Sequence, residues 1–73
     1  MITLEKKEKI TQLRLRRAQL KGKLASTDYQ AIKYAEGEMG ISAYAPIREQ
    51  RRSWRAEINA LEAEIASLLA PIL

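Results

Sequence analysis

Thirteen basic and nine acidic side chains carry most of the chemistry open to this 73-residue chain, because histidine and cysteine are both absent. The usual zinc ligands and the commonest general base are therefore missing. Glu57 and Glu64 share one face of a helix, but lysines or arginines are available to pair each carboxylate. No nucleophile sits with a base and an orienting group. Gly37 and Gly40 are too little for a phosphate-cradling loop. The sequence thus predicts no catalytic residue, no cofactor and no metal ligand, and a protein that is not an enzyme.

The distribution of charge says more than its sum of +4. Residues 1–25 hold eight basic side chains against two acidic, residues 26–46 are slightly acidic, and residues 47–73 hold four arginines and four glutamates. Arg14, Arg16, Arg17, Arg48, Arg51, Arg52 and Arg55, with Lys21 and Lys23, gather in one half of any hairpin that the chain forms. Such a patch could contact an acidic partner or the phosphates of a nucleic acid. It could equally solvate the outer faces of amphipathic helices, diluted by Glu49 and Glu57. Arg17 and Arg51 stand at seam positions where apolar residues are expected. Their stems can pack while the guanidinium reaches water, a carboxylate or the Trp54 ring. Trp54, the single tryptophan, is read as core.

These side chains need long helices to position them. Ile47, Arg51, Trp54, Ile58, Leu61, Ile65, Leu68 and Ile72 alternate at spacings of four and three, which puts them on one seam of a helix in the coiled-coil pattern. A first helix is predicted over residues 3–25, with Thr3 as N-cap and Glu5 in the first turn. Ile10, Leu13, Leu20 and Leu24 face its partner, and Arg17 fills the missing rung. A second, smaller stripe of Leu4, Thr11, Leu15, Ala18, Gly22 and Ala25 lies on the other side. Thr27-Asp28-Tyr29-Gln30 fits a capping box, so a short helix is expected over 28–36 with Tyr29, Ile32 and Ala35 inward, although Ser26 and Thr27 could instead only bend a continuous helix. A turn over 37–42 follows, then a helix over 43–70 capped by Ser42 and ended by Pro71, with Pro46 near its first turn.

Folding the two long helices against each other gives the fold class: an all-α antiparallel two-helix hairpin, coiled-coil-like, with a short connecting helix. The expected register pairs Leu24 with Ile47, Arg17 with Trp54, Leu13 with Ile58, Ile10 with Leu61, and Lys6 with Glu64 or Ile65. Tyr29, Tyr34 and Tyr44 are expected to pack the connector. A chain this short without staples gains stability by associating, and residues 65–73 are apolar on nearly every face. A homo-oligomer, as a dimer or larger helical bundle, is therefore expected, with Leu4, Leu15, Leu69 and Ile72 as its contacts. No secretory signal is read in the charged N-terminal residues, and the apolar C-terminal run is too short for a membrane span. A cytoplasmic location is expected.

Two stretches together carry a resemblance: Thr27-Asp28-Tyr29-Gln30-Ala31-Ile32-Lys33 with Glu36-Gly37, and Tyr44-Ala45-Pro46-Ile47 followed by Arg51-Arg52-Ser53-Trp54-Arg55-Ala56-Glu57-Ile58-Asn59-Ala60-Leu61-Glu62. Residues 27–62 resemble small helical segments of phage and prophage proteins, including C-terminal parts of tail-fibre and tail-assembly proteins. The resemblance implies a protein–protein interaction or assembly role among phage structural or assembly proteins, in the host cell or on the virion. It carries over no catalytic residue and does not reach the basic first helix, for which nucleic acid remains the alternative partner.

Overall fold

The Thr3 hydroxyl accepts a hydrogen bond from the Lys6 amide at 3.2 Å and starts a helix α1 over Leu4–Ala35, with Glu5 in its first turn as the dipole favours. The computed structural model describes residues 3–70. Two helices, α1 and α2 (Ile41–Leu69), make up the fold, with no strand among the described residues. They pack antiparallel into a rod whose Cα extents are 52 × 19 × 16 Å.

The helix predicted to end at Ala25 runs on for another ten residues as α1, so there is no separate short helix over 28–36. The Ser26 hydroxyl donates to the Lys23 carbonyl at 2.8 Å, and the Thr27 hydroxyl sits 3.0 Å from the Leu24 carbonyl and 3.2 Å from that of Lys23. Both hydroxyls fold back on their own helix instead of capping a new one. That is the alternative use of Ser and Thr within helices, and no proline stands in α1 to force a break.

The chain reverses over five residues. Glu36 closes α1, and Gly37 adopts φ +80°. The Gly37 amide donates to the Tyr34 carbonyl at 3.1 Å and the Glu38 amide to the Lys33 carbonyl at 2.8 Å. This pair of bonds is the Schellman arrangement, which satisfies carbonyls that the helix end leaves open and favours glycine at the left-handed position. Gly40, not Ser42, is the N-cap of α2, and it offers no side-chain bond. Pro46 consequently lies inside α2, in its second turn. It has no amide to donate to the Ser42 carbonyl. At the other end Ala70, which precedes Pro71, leaves the helix at φ −59° and ψ 133°, the extended region to which a following proline drives a residue.

The seam of α2 is the one read from spacing. Ile58, Ile65 and Tyr44 are buried, and Ile47, Arg51, Trp54, Leu61 and Leu68 are half-buried. Facing it, Ile10 and Leu20 are buried, while Leu13, Arg17 and Leu24 are half-buried. Because α1 does not break, the same alternation of three and four carries on through Thr27, Ala31 and Tyr34, each shielded from solvent. Tyr29, Ile32 and Ala35 therefore point outward rather than inward. The rings of Tyr34 and Tyr44 stack with centroids 4.5 Å apart and planes at 7°, and Arg51 donates to Thr27 at 2.6 Å. These contacts set a register that places Leu24 opposite Trp54, Leu20 opposite Ile58 and Leu13 opposite Ile65. It differs from the expected register by one heptad. The expected one assumed a connector over residues 26–42, whereas the actual turn occupies only residues 36–40. Trp54 thus meets Lys23, whose ammonium lies 5.9 Å from its ring centroid, and not Arg17.

Candidate functional site

The arginines grouped by sequence divide into two sets. Arg51 is drawn into the seam: its side chain is only 14% exposed, its Nη1 donates to the Leu24 carbonyl at 2.9 Å and to Thr27 Oγ1 at 2.6 Å, and its Nη2 lies 3.1 Å from Asp28 Oδ1. A guanidinium with three fixed acceptors ties the C-terminal half of α1 to α2 and is satisfied within the hairpin. Thr27 donates backward and accepts from Arg51, which explains a hydroxyl on the seam.

Arg16 forms a two-pronged pair with Glu57. Its Nε reaches Oε2 at 2.7 Å, and its Nη2 reaches Oε1 at 3.1 Å. The hydrogen bond to Arg16 holds the Glu57 carboxyl below its ordinary value; partial desolvation opposes this, and the positive charges of Arg16 and Lys23 reinforce it. The Arg16 guanidinium is shifted upward by the same bond. Lys9 pairs with Glu64 at 3.5 Å on the same flank of the seam, and Lys21 with Glu62 at 3.8 Å on the opposite flank. Such flanking pairs set the orientation and register of coiled coils. Glu57 and Glu64, the carboxylates that could have done acid–base work, are thus both ion-paired across the hairpin.

Arg48 lies 5.2 Å from the Tyr34 ring centroid and 5.6 Å from that of Tyr44, covering the stacked pair near the turn. Arg52 meets Glu49 at 3.4 Å on an exposed turn of α2, a pair of little energetic weight. Arg14, Arg17 and Arg55 make no ion pair among the described residues. Arg14 and Arg55 are exposed, and Arg17 is half-buried. The structure therefore does not bring the seven arginines together as one surface.

The candidate association residues lie on the outside. Leu4 is 72% exposed and Leu15 60% exposed, and Leu69 is exposed near the end of α2, whereas Ile72 lies outside the described residues. Tyr29 at 67% and Ile32 at 55% join them. Both were missed as outward residues because they were assigned to a separate helix. The signal was present: Leu15, Ala18, Gly22 and Ala25 already step by three and four, and the next two rungs are Tyr29 and Ile32. Together they form a second ladder on the face of α1 turned away from α2. A Cβ added at Gly22 would meet nothing within 4 Å, so nothing inside the hairpin requires glycine there. A depression of about 410 Å³ beside Leu4, Lys7, Glu8, Thr11 and Gln12 lies near the N-terminal end of α1. No group of three or more acidic residues that could hold a metal ion occurs among the described residues. No helix among them is long and apolar enough to cross a membrane. Comparison with protein families, with curated proteins and with solved structures finds no match to this chain.

Proposed function

We propose that this chain is a non-enzymatic helical assembly module that acts through protein–protein contact. The observation that carries this reading is the uncovered ladder on α1, with Leu15, Tyr29 and Ile32 each more than half exposed. Large apolar side chains repeated on one helix face mark a contact surface rather than scattered surface residues. The hairpin satisfies many of its charges internally and leaves this face for a partner. The resemblance of residues 27–62 to tail-fibre and tail-assembly segments supports placing that partner among phage or prophage assembly proteins, in the host cytoplasm or on the virion. The test is a photo-crosslinking amino acid at Tyr29, with Asn59 on the exposed face of α2 as the control position, in cells producing the chain. A discrete adduct at Tyr29 and none at Asn59 is expected. Equal yields at Tyr29 and Asn59 overturn the reading.

One observation favours a second reading, nucleic-acid binding: Arg14 and Arg55 are exposed and make no ion pair among the described residues. Affinity that falls steeply with rising salt supports it, and no binding even at low salt removes it.

A further inference from the structure

The ladder on the outer face of α1 is patterned like the seam on its inner face. Leu15, Ala18, Gly22, Ala25, Tyr29 and Ile32 step by three, four, three, four and three. In the hairpin itself, antiparallel packing sets residues of the two seams in opposed layers, and the flanking charges meet across them as Arg16 meets Glu57. The same geometry applied to two copies of α1, related by a twofold axis, has a register in which every residue of the ladder meets another residue of the ladder. Leu15 stands opposite Ile32, Ala18 opposite Tyr29, and Gly22 opposite Ala25, each layer occurring twice. The Tyr29 ring then faces the small Ala18, the two central layers pair Gly22 with Ala25 and let the helices approach closely, and the two branched aliphatics meet at the ends.

The charges agree with that register. The position on α1 that corresponds to Arg16 in the hairpin is Arg14, and its counterpart across the second interface is Asp28 of the other copy. Arg14 is exposed and makes no ion pair among the described residues. The Asp28 carboxylate is 58% exposed even while it meets Arg51. Slipping one heptad in one direction puts Arg14 against Lys21, and slipping in the other carries Leu15 beyond the end of the facing helix. A parallel pair would set Tyr29 on Tyr29 and Gly22 on Gly22, crowding one layer and emptying another. Lys21 meets its own copy at the axis, but its ammonium lies on the side of Glu62 in its own hairpin, at 3.8 Å.

We infer that the occupant of the outer face of α1 is a second copy of this chain, docked antiparallel through α1 with Gly22 near the twofold axis. This inference rests on the assembly reading and names its partner. Gly22 gives it a clean test, because a side chain there meets nothing within its own hairpin and replacing glycine inside a helix raises helix propensity. Sedimentation equilibrium of the full chain is expected to give a dimer at tens of micromolar. The Gly22→Leu chain is expected to keep its helical circular dichroism while its dimer dissociates about tenfold or more readily, near 1.4 kcal/mol. The chain lacks cysteine, so mixing Ala18→Cys with Tyr29→Cys chains under oxidation reads orientation: the mixed disulfide should dominate over either symmetric one. A monomeric parent, an unaffected Gly22→Leu dimer, or a dominant Ala18→Cys symmetric product each overturns the inference. A monomeric parent that still gives a Tyr29 adduct to a different protein removes the second copy and leaves the assembly reading standing.

Discussion

Arg51 shows how a single side chain can look like a binding residue and serve as a strut. In sequence it is an arginine on an apolar seam; in the fold its donors meet a backbone carbonyl, a hydroxyl and a carboxylate on the facing helix. Arg51→Ala removes those bonds and the packed stem, and should lower unfolding stability by about 2 kcal/mol in a denaturant titration. Arg51→Met keeps most of the stem and should lower it less. Glu57 makes the complementary point for a pair at the rim. Its pKa is held down chiefly by the Arg16 hydrogen bond, so the folded state binds this proton less readily than the unfolded chain does. The pair's contribution is therefore fully present above the unfolded carboxylate range near about 4.3 and is lost as pH falls through the lower folded value. A melting-temperature profile from pH 6 to 2 should show that decline, and Glu57→Gln should flatten it.

At the scale of elements, the seam of α2 and the start of α1 were legible because periodicity and a side-chain cap are local signals, whereas α2 starts from Gly40, which has no capping side chain to read, rather than from Ser42. Thr3 caps as read, and the seam from Ile47 to Leu68 faces inward along its whole length. Two further things were not legible. Ser26-Thr27-Asp28 carries a capping signature, but a hydroxyl can bond its own helix as readily as it can start another. In the fold Thr27 donates to its own helix and accepts from the facing Arg51, a partner 24 residues away that local sequence does not reveal. Register was hidden for a different reason: a seven-residue slip returns every seam position to the seam, so spacing alone cannot choose between registers that differ by one heptad. The turn makes the choice, and its key residue is Gly37 at φ +80°. Gly37→Ala places a Cβ in the left-handed region and should lower stability by roughly 1–2 kcal/mol. Gly40, at φ −74° and ψ 158°, should accept Asp as an N-cap with a gain of a few tenths, about 0.3 kcal/mol. A chemical denaturation series on these two variants checks both signs.

The whole molecule is a two-sided rod. On one side of α1 the inner seam is closed by α2, with cross-helix ion pairs on both flanks. On the other side a ladder of the same period stays uncovered. The basic half suggested by sequence is broken up by this arrangement: Arg16, Arg51 and Arg52 face carboxylates, and Arg48 covers tyrosine rings. What the molecule presents instead is an apolar helix face, and a core of five buried apolar residues among those described leaves room for association to add stability. The account stands on that face being an interface. Amide chemical shifts of the isotopically labelled full chain, followed from micromolar to millimolar concentration, test it most directly. Shifts that move with concentration should cluster around Leu15, Ala18, Gly22, Ala25, Tyr29 and Ile32, with the exposed face of α2 unchanged. A spectrum independent of concentration, or changes confined to α2, would contradict it.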